Sequence, residues 1–111
     1  MKPSNRPQSS VSRAALTYLA QSIKRARVER RMTAADVATR AGISRSLLQR
    51  IEKGDPSCAI GSVFEVASIV GVTLFDTDAR GLQSAIAANN AVLTLLPKAV
   101  RTKRAEVDDD F

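Results

Sequence analysis

The strongest constraint in this chain lies between Met32 and Gly54. There MTAADVATRAGISRSLLQRIEKG reads as two short helices hinged on a glycine. Thr33 stands where an N-cap is needed, and Asp36 follows in the first turn, where the helix dipole favours an acid. Val37, Ala38 and Ala41 form a short apolar stripe, and Gly42 stands where a helix stops in the left-handed conformation. The predicted helix over 34–41 is about two turns long. Ser44 caps the next helix, Leu48 and Ile51 face inward at a spacing of three, Gly54 ends it, and Asp55-Pro56-Ser57 turns the chain. The small side chains of Ala38 and Ala41 let the two helices approach at a steep angle. A steep crossing lets the second helix project from the surface into a major groove.

The flanks complete an all-α plan. Residues 1–10 are polar, with Pro3 and Pro7, and read as a disordered arm. A helix is predicted from Val11 to near Arg31, capped by Ser12, with Leu16, Leu19, Ile23 and Ala26 on one face. Another covers 60–70, with Ile60, Val63, Phe64, Ala67 and Val70 inward and Gly71 closing it. Residues 71–75 are apolar and partly β-branched, and are compatible with one short strand, including one paired with its mate in a dimer. A last helix is predicted over Ala79 to Leu95, marked by Leu82, Ile86, Leu93 and Leu96, interrupted by Asn89 and Asn90, and stopped by Pro97. The expected division is an arm over 1–10, a DNA-binding domain over 11–75, a helix over 76–96 that covers the core or a second protomer, and a charged tail over 97–111.

Charge and composition narrow the function. The net charge is +6. Residues 1–31 hold eight Lys or Arg against one acid, residues 32–60 four against three, residues 61–96 one against three, and residues 97–111 four of each. Nucleic acid suits a positive field concentrated in the first third, because each neutralised phosphate releases counterions; solvation of helix surfaces is the other use of such charge. The chain has no His, which removes Cys/His zinc sites and the commonest general base. Cys58 is alone and has no internal disulfide partner. With no acidic pair on a shared face, nothing points to an enzyme or asks for a cofactor. No run of eighteen apolar residues is present, so no membrane span is expected, and the first ten residues lack the apolar stretch of a signal peptide. A cytoplasmic location is the expectation.

On these residues the chain resembles the Cro/C1-type repressors, the XRE family, whose helix-turn-helix domain has five helices; here a C-terminal helix is added. The matching positions are Leu19, Ile23 and Arg27, then Met32-Thr33, Ala38, Gly42-Ile43-Ser44, Leu48, Ile51-Glu52 and Gly54, about half the chain. The resemblance puts base-reading positions on Arg45, Ser46 and Arg50, with Gln49 near and Lys53 in the same DNA-binding set. Arg can donate two hydrogen bonds to guanine, and Ser or Gln can pair with several base edges. Thr33 and Ser44 fall on phosphate-contacting positions, a role compatible with capping. Leu47 either completes the core or packs on a thymine methyl. The family's Gln after the Thr, which touches phosphate and braces the recognition helix, is Ala34 here, so that contact is absent. Arg27 and Glu52 match a partly buried ion pair that fixes orientation between the first and third helices. The resemblance further implies operator DNA as partner, read by a homodimer on two half-sites.

A narrower resemblance lies at the C-terminal end. Leu95-Leu96-Pro97-Lys98, Val100-Arg101 and Val107-Asp108-Asp109-Asp110-Phe111 are similar to the tail of HipB-like antitoxins, and Gly71-Val72-Thr73-Leu74-Phe75-Asp76 is similar to the same group. This implies a HipA-like Ser/Thr kinase toxin as a partner. A stand-alone XRE-family repressor without a toxin partner shares every DNA-binding feature.

Overall fold

The computed structural model describes residues 8–100. Among them are five helices and no sheet: α1 (Ser10–Glu29), α2 (Ala34–Ala41), α3 (Arg45–Glu52), α4 (Ile60–Val70) and α5 (Ala79–Leu95). The chain divides after Asp76 into two units, α1 to α4 in the first and α5 in the second.

In the first unit, α2 packs on α3 and α4, and α1 packs on the same two helices. Ile23, Val37, Leu48, Val66 and Val70 are fully buried and, with Ala38, Ile51, Val63 and Ala67, form one core. Each large side chain buried this way contributes about 1.5–3 kcal/mol. The small Ala38 and Ala67 among them allow close approach of the backbones. Leu47 is half-buried and packs against this core, which settles its place in the fold.

Three helices start on a hydroxyl cap and four end on one device. Ser9, Thr33 and Ser44 each accept a backbone N–H three residues on. At the other ends, Met32 N–H reaches Arg27 O (3.0 Å), Ile43 N–H reaches Ala38 O (3.0 Å), Asp55 N–H reaches Arg50 O (3.1 Å) and Val72 N–H reaches Ala67 O (2.8 Å). This six-to-one bond is the Schellman closure, and it needs a left-handed residue just before the closing N–H. Gly42 fills that place for α2 at φ 69, with nothing near its missing side chain, so conformation alone calls for glycine there. After α1 the same place is taken by Arg31 at φ 59, without a glycine.

Several expectations are corrected. The arm expected over 1–10 does not extend through Ser10: Ser9, not Ser12, caps α1, and Ser12 supplies the N–H that Ser9 accepts. Residues 1–7 of that arm and 101–111 of the tail lie outside the described residues. In α4, Ile60 is 68% exposed, because the first helical residue lies at the edge of the packed stripe; Val66 takes the inward place instead. Within the chain, no strand is formed at 71–75. Gly71 ends α4, Val72 and Leu74 turn half-buried against the core, Leu74 is an isolated bridge position, and Phe75 and Asp76 form a turn with both φ values positive (58 and 55). Phe75 meets Phe64 edge-on, with ring centroids 6.2 Å apart. No residue of α5 is buried; Ile86 is 51% exposed and Leu93 63%.

Candidate nucleic-acid interface

The turn between α2 and α3 sets the geometry. Gly42 reverses the chain, Ile43 packs against the core, and Ser44 starts α3 at once. Ser44 Oγ accepts from Leu47 N–H (3.0 Å) and Ser44 O from Leu48 N–H (3.1 Å). The N–H groups of Arg45 and Ser46 are then left without intrahelical partners, as in any helix start. At α2, Thr33 Oγ1 accepts from Asp36 N–H (3.0 Å) and Thr33 O from Val37 N–H (3.1 Å), leaving Ala34 and Ala35 open. Open N–H groups at a helix start favour an anion such as a phosphate. Ala34 is half-buried against the core and offers no polar atom beyond its backbone.

With Leu48 and Ile51 spent on the core, α3 turns Arg45, Ser46, Gln49 and Arg50 outward, all exposed, and Lys53 follows as its exposed C-cap. Arg50 differs from the others. Its Nε donates to Asp55 Oδ2 (2.9 Å) and its Nη2 to Ser57 Oγ (2.8 Å). Ser57 in turn donates both its N–H (2.9 Å) and its hydroxyl (2.7 Å) to Asp55 Oδ1. The Ser57 N–H, then Arg50, then the Ser57 hydroxyl hold the Asp55 carboxyl at about 2, below the usual carboxylate range.

The structure also brings Arg27 of α1 to Glu52 of α3. Arg27 Nε donates to Glu52 Oε2 (2.7 Å), Nη2 to Oε1 (3.1 Å) and Nη1 to Met32 O (3.1 Å). The side chains are 15% and 9% exposed. The hydrogen bonds that Arg27 donates to Glu52 outweigh burial and hold its guanidinium above its ordinary pKa. One clamp thus ties the start of the recognition element, through Met32, to the end of α3.

Residues 23–76 match the family model described as helix-turn-helix. No curated protein and no solved structure matches the chain. The segment is a helix-turn-helix domain, and the match supports the Cro/C1-type family. Its α2 and α3 are the helix pair, and the match supports a DNA-binding regulator of the XRE type. Cys58 has no part in that chemistry. It is half-buried, and burial pushes its thiol pKa up, which makes it a poor nucleophile at neutral pH. No helix of the described residues is long and apolar enough to cross a membrane.

Two features of the domain escaped sequence reasoning. Arg30 donates to Val70 O and lies over Gly71, placing a cation on the C-terminal end of α4, where the helix dipole favours it. Forty residues of separation leave no local trace of that contact. The Arg50–Asp55 pair did have a signal. A Schellman closure at Gly54 brings the side chains at its two ends together. In α2 and α4 those ends are Ala38 with Ile43 and Ala67 with Val72, both apolar. In α3 they are Arg50 with Asp55, so an ion pair stands where the usual apolar contact would.

Proposed function

We propose that this protein is a sequence-specific transcriptional repressor that binds operator DNA as a homodimer, with α3 in the major groove. The observation that carries this is α3 itself: a helix pinned at both ends, presenting Arg45, Ser46, Gln49 and Arg50 outward beside unpartnered N-terminal N–H groups. Arg45, Ser46 and Arg50 read base edges with Gln49 beside them, Thr33 and Ser44 meet phosphates while capping, and Lys53 adds charge toward the backbone. Arg27 and Glu52 hold α3 at its angle and do not touch DNA. The reading places the protein with the duplex, in the cytoplasm.

Dimerisation is supported by what α5 leaves uncovered. It carries a single charge, Arg80, in seventeen residues, while Leu82, Ile86, Leu93 and Leu96 recur at helical spacing. Exposed Ile60 (68%) and Phe75 (74%) add apolar surface within 60–75. A second copy that covers these faces would place two recognition helices on half-sites about one helical turn apart.

We further propose that the repressor is the antitoxin of a type II pair, regulating its own operon and restraining a HipA-like Ser/Thr kinase. Support comes from the resemblance of 71–76 and of 95–111 to HipB-like chains. The test is a pull-down from native lysate with the full chain and with a chain ending at Leu96. Recovery of a HipA-like kinase by the full chain alone supports the antitoxin reading and assigns the tail to the kinase. Recovery of DNA alone, where other complexes survive, supports the stand-alone repressor.

A further inference from the structure

We propose that Asp55 and Ser57 are positioning residues for base recognition, holding Arg50 so that one fixed edge of its guanidinium faces a guanine. The inference rests on the reading of α3 as the recognition helix.

A guanidinium has two edges that can donate paired hydrogen bonds. Nη2 lies trans to Cδ, so Nε–H and one Nη2–H form the side edge, while Nη1–H and the other Nη2–H form the end edge. Here the side edge is filled: Nε by Asp55 Oδ2 and Nη2 by Ser57 Oγ. Among the described residues Nη1 has no partner, so the end edge is open. The clamp is itself closed. Asp55 Oδ1 takes both donors of Ser57, Oδ2 takes Arg50 Nε, and the Ser57 hydroxyl accepts from Arg50 while donating to Asp55. The backbone adds a parallel tie, Asp55 N–H to Arg50 O at 3.1 Å.

Three consequences follow for recognition. An end edge that only donates matches guanine, whose O6 and N7 both accept, and sets a donor against the adenine amino group. An arginine held at its side edge loses less side-chain freedom when it meets the base. The Asp55 carboxylate beside it repels phosphate, so Arg50 is kept from the backbone contact that an unclamped arginine would also serve. The clamp therefore raises discrimination at one base pair and lowers affinity for duplexes in general.

The experiment is selection of bound sequences from a random duplex library with the full chain, as wild type, Arg50→Ala, Asp55→Asn, Ser57→Ala and Arg45→Ala, with helicity checked by circular dichroism. The wild type should prefer guanine at one position of each half-site, and Arg50→Ala should flatten that position alone. Asp55→Asn should cut the preference at the same position by about fivefold or more. It should also bind an unrelated duplex more tightly than wild type. Ser57→Ala should act at that position to a smaller extent, and Arg45→Ala at a different one. If Asp55→Asn and Ser57→Ala keep the wild-type preference where Arg50→Ala loses it, the clamp is idle and the proposal falls while the recognition helix stands. If Arg50→Ala changes nothing while Arg45→Ala does, Arg50 does not read bases and the proposal falls with it. A wild type with no preference anywhere overturns the DNA reading itself. Should Asp55→Asn fail to fold, Ser57→Ala decides alone: a retained guanine preference overturns the proposal, and a reduced one supports it.

Discussion

Helix α3 carries two arginine–carboxylate pairs, and they differ in almost every physical respect. The pair at its inner seam joins Arg27 to Glu52 across 25 residues, and both side chains are nearly out of water. The pair at its outer end joins Arg50 to Asp55 across five residues, with side chains 46% and 31% exposed. Removing one partner of the inner pair leaves a charge in a poorly solvated seam. Removing one partner of the outer pair leaves a charge that water can reach. The same chemistry thus holds the helix in place on one side and aims a side chain on the other.

The comparison is most easily broken at its inner member. Glu52→Ala should destabilise the fold by up to about 3 kcal/mol, the low end for breaking a fully buried pair, because this one is only partly buried. Urea unfolding checks it, and a midpoint unchanged from wild type would erase the distinction between the two pairs. Next in size are the outward arginines. Arg45→Ala and Arg50→Ala should each weaken operator binding about fivefold to a hundredfold while leaving the protein folded. Unchanged operator affinity in both would reject the placement of the recognition helix.

A smaller effect is expected when the inner pair is replaced whole. Arg27→Met with Glu52→Leu should stay within about 1 kcal/mol of wild type, because apolar partners of similar volume can stand in for a buried pair. It should also keep operator binding. A double variant that folds but no longer binds DNA would give the inner pair a direct part in recognition. The smallest effect is that of pH on the outer pair. The Asp55 carboxyl titrates near 2 in the fold, below its ordinary 3.8. Its stabilising contribution is therefore complete above pH 4 and is lost as pH falls toward 2. Thermal melts between pH 5 and 2 should show a shallower decline in Asp55→Asn than in wild type; identical curves would mean that the clamp adds nothing to the fold.

Much of this was present in the order of residues alone. Thr33 and Ser44 before apolar stripes, and Gly42 and Gly54 after them, set the ends of α2 and α3 within a residue or two, because caps and left-handed closures act inside a single turn. The core positions Ile23, Val37, Leu48 and Ile51 follow from helical period in the same way. Only the tertiary structure decided what depends on which surfaces meet. Ile60 faces out and Val66 in because the packed stripe of α4 begins one turn later than its apolar run. Arg30 sits on the α4 terminus because α1 and α4 come together across a separation of forty residues. Residues 71–75 turn back rather than extend because Val72 and Leu74 find cover on the core already built by the helices before them. Local signals act through the backbone of one turn, whereas a side chain's partner at long range exists only once the core has placed it.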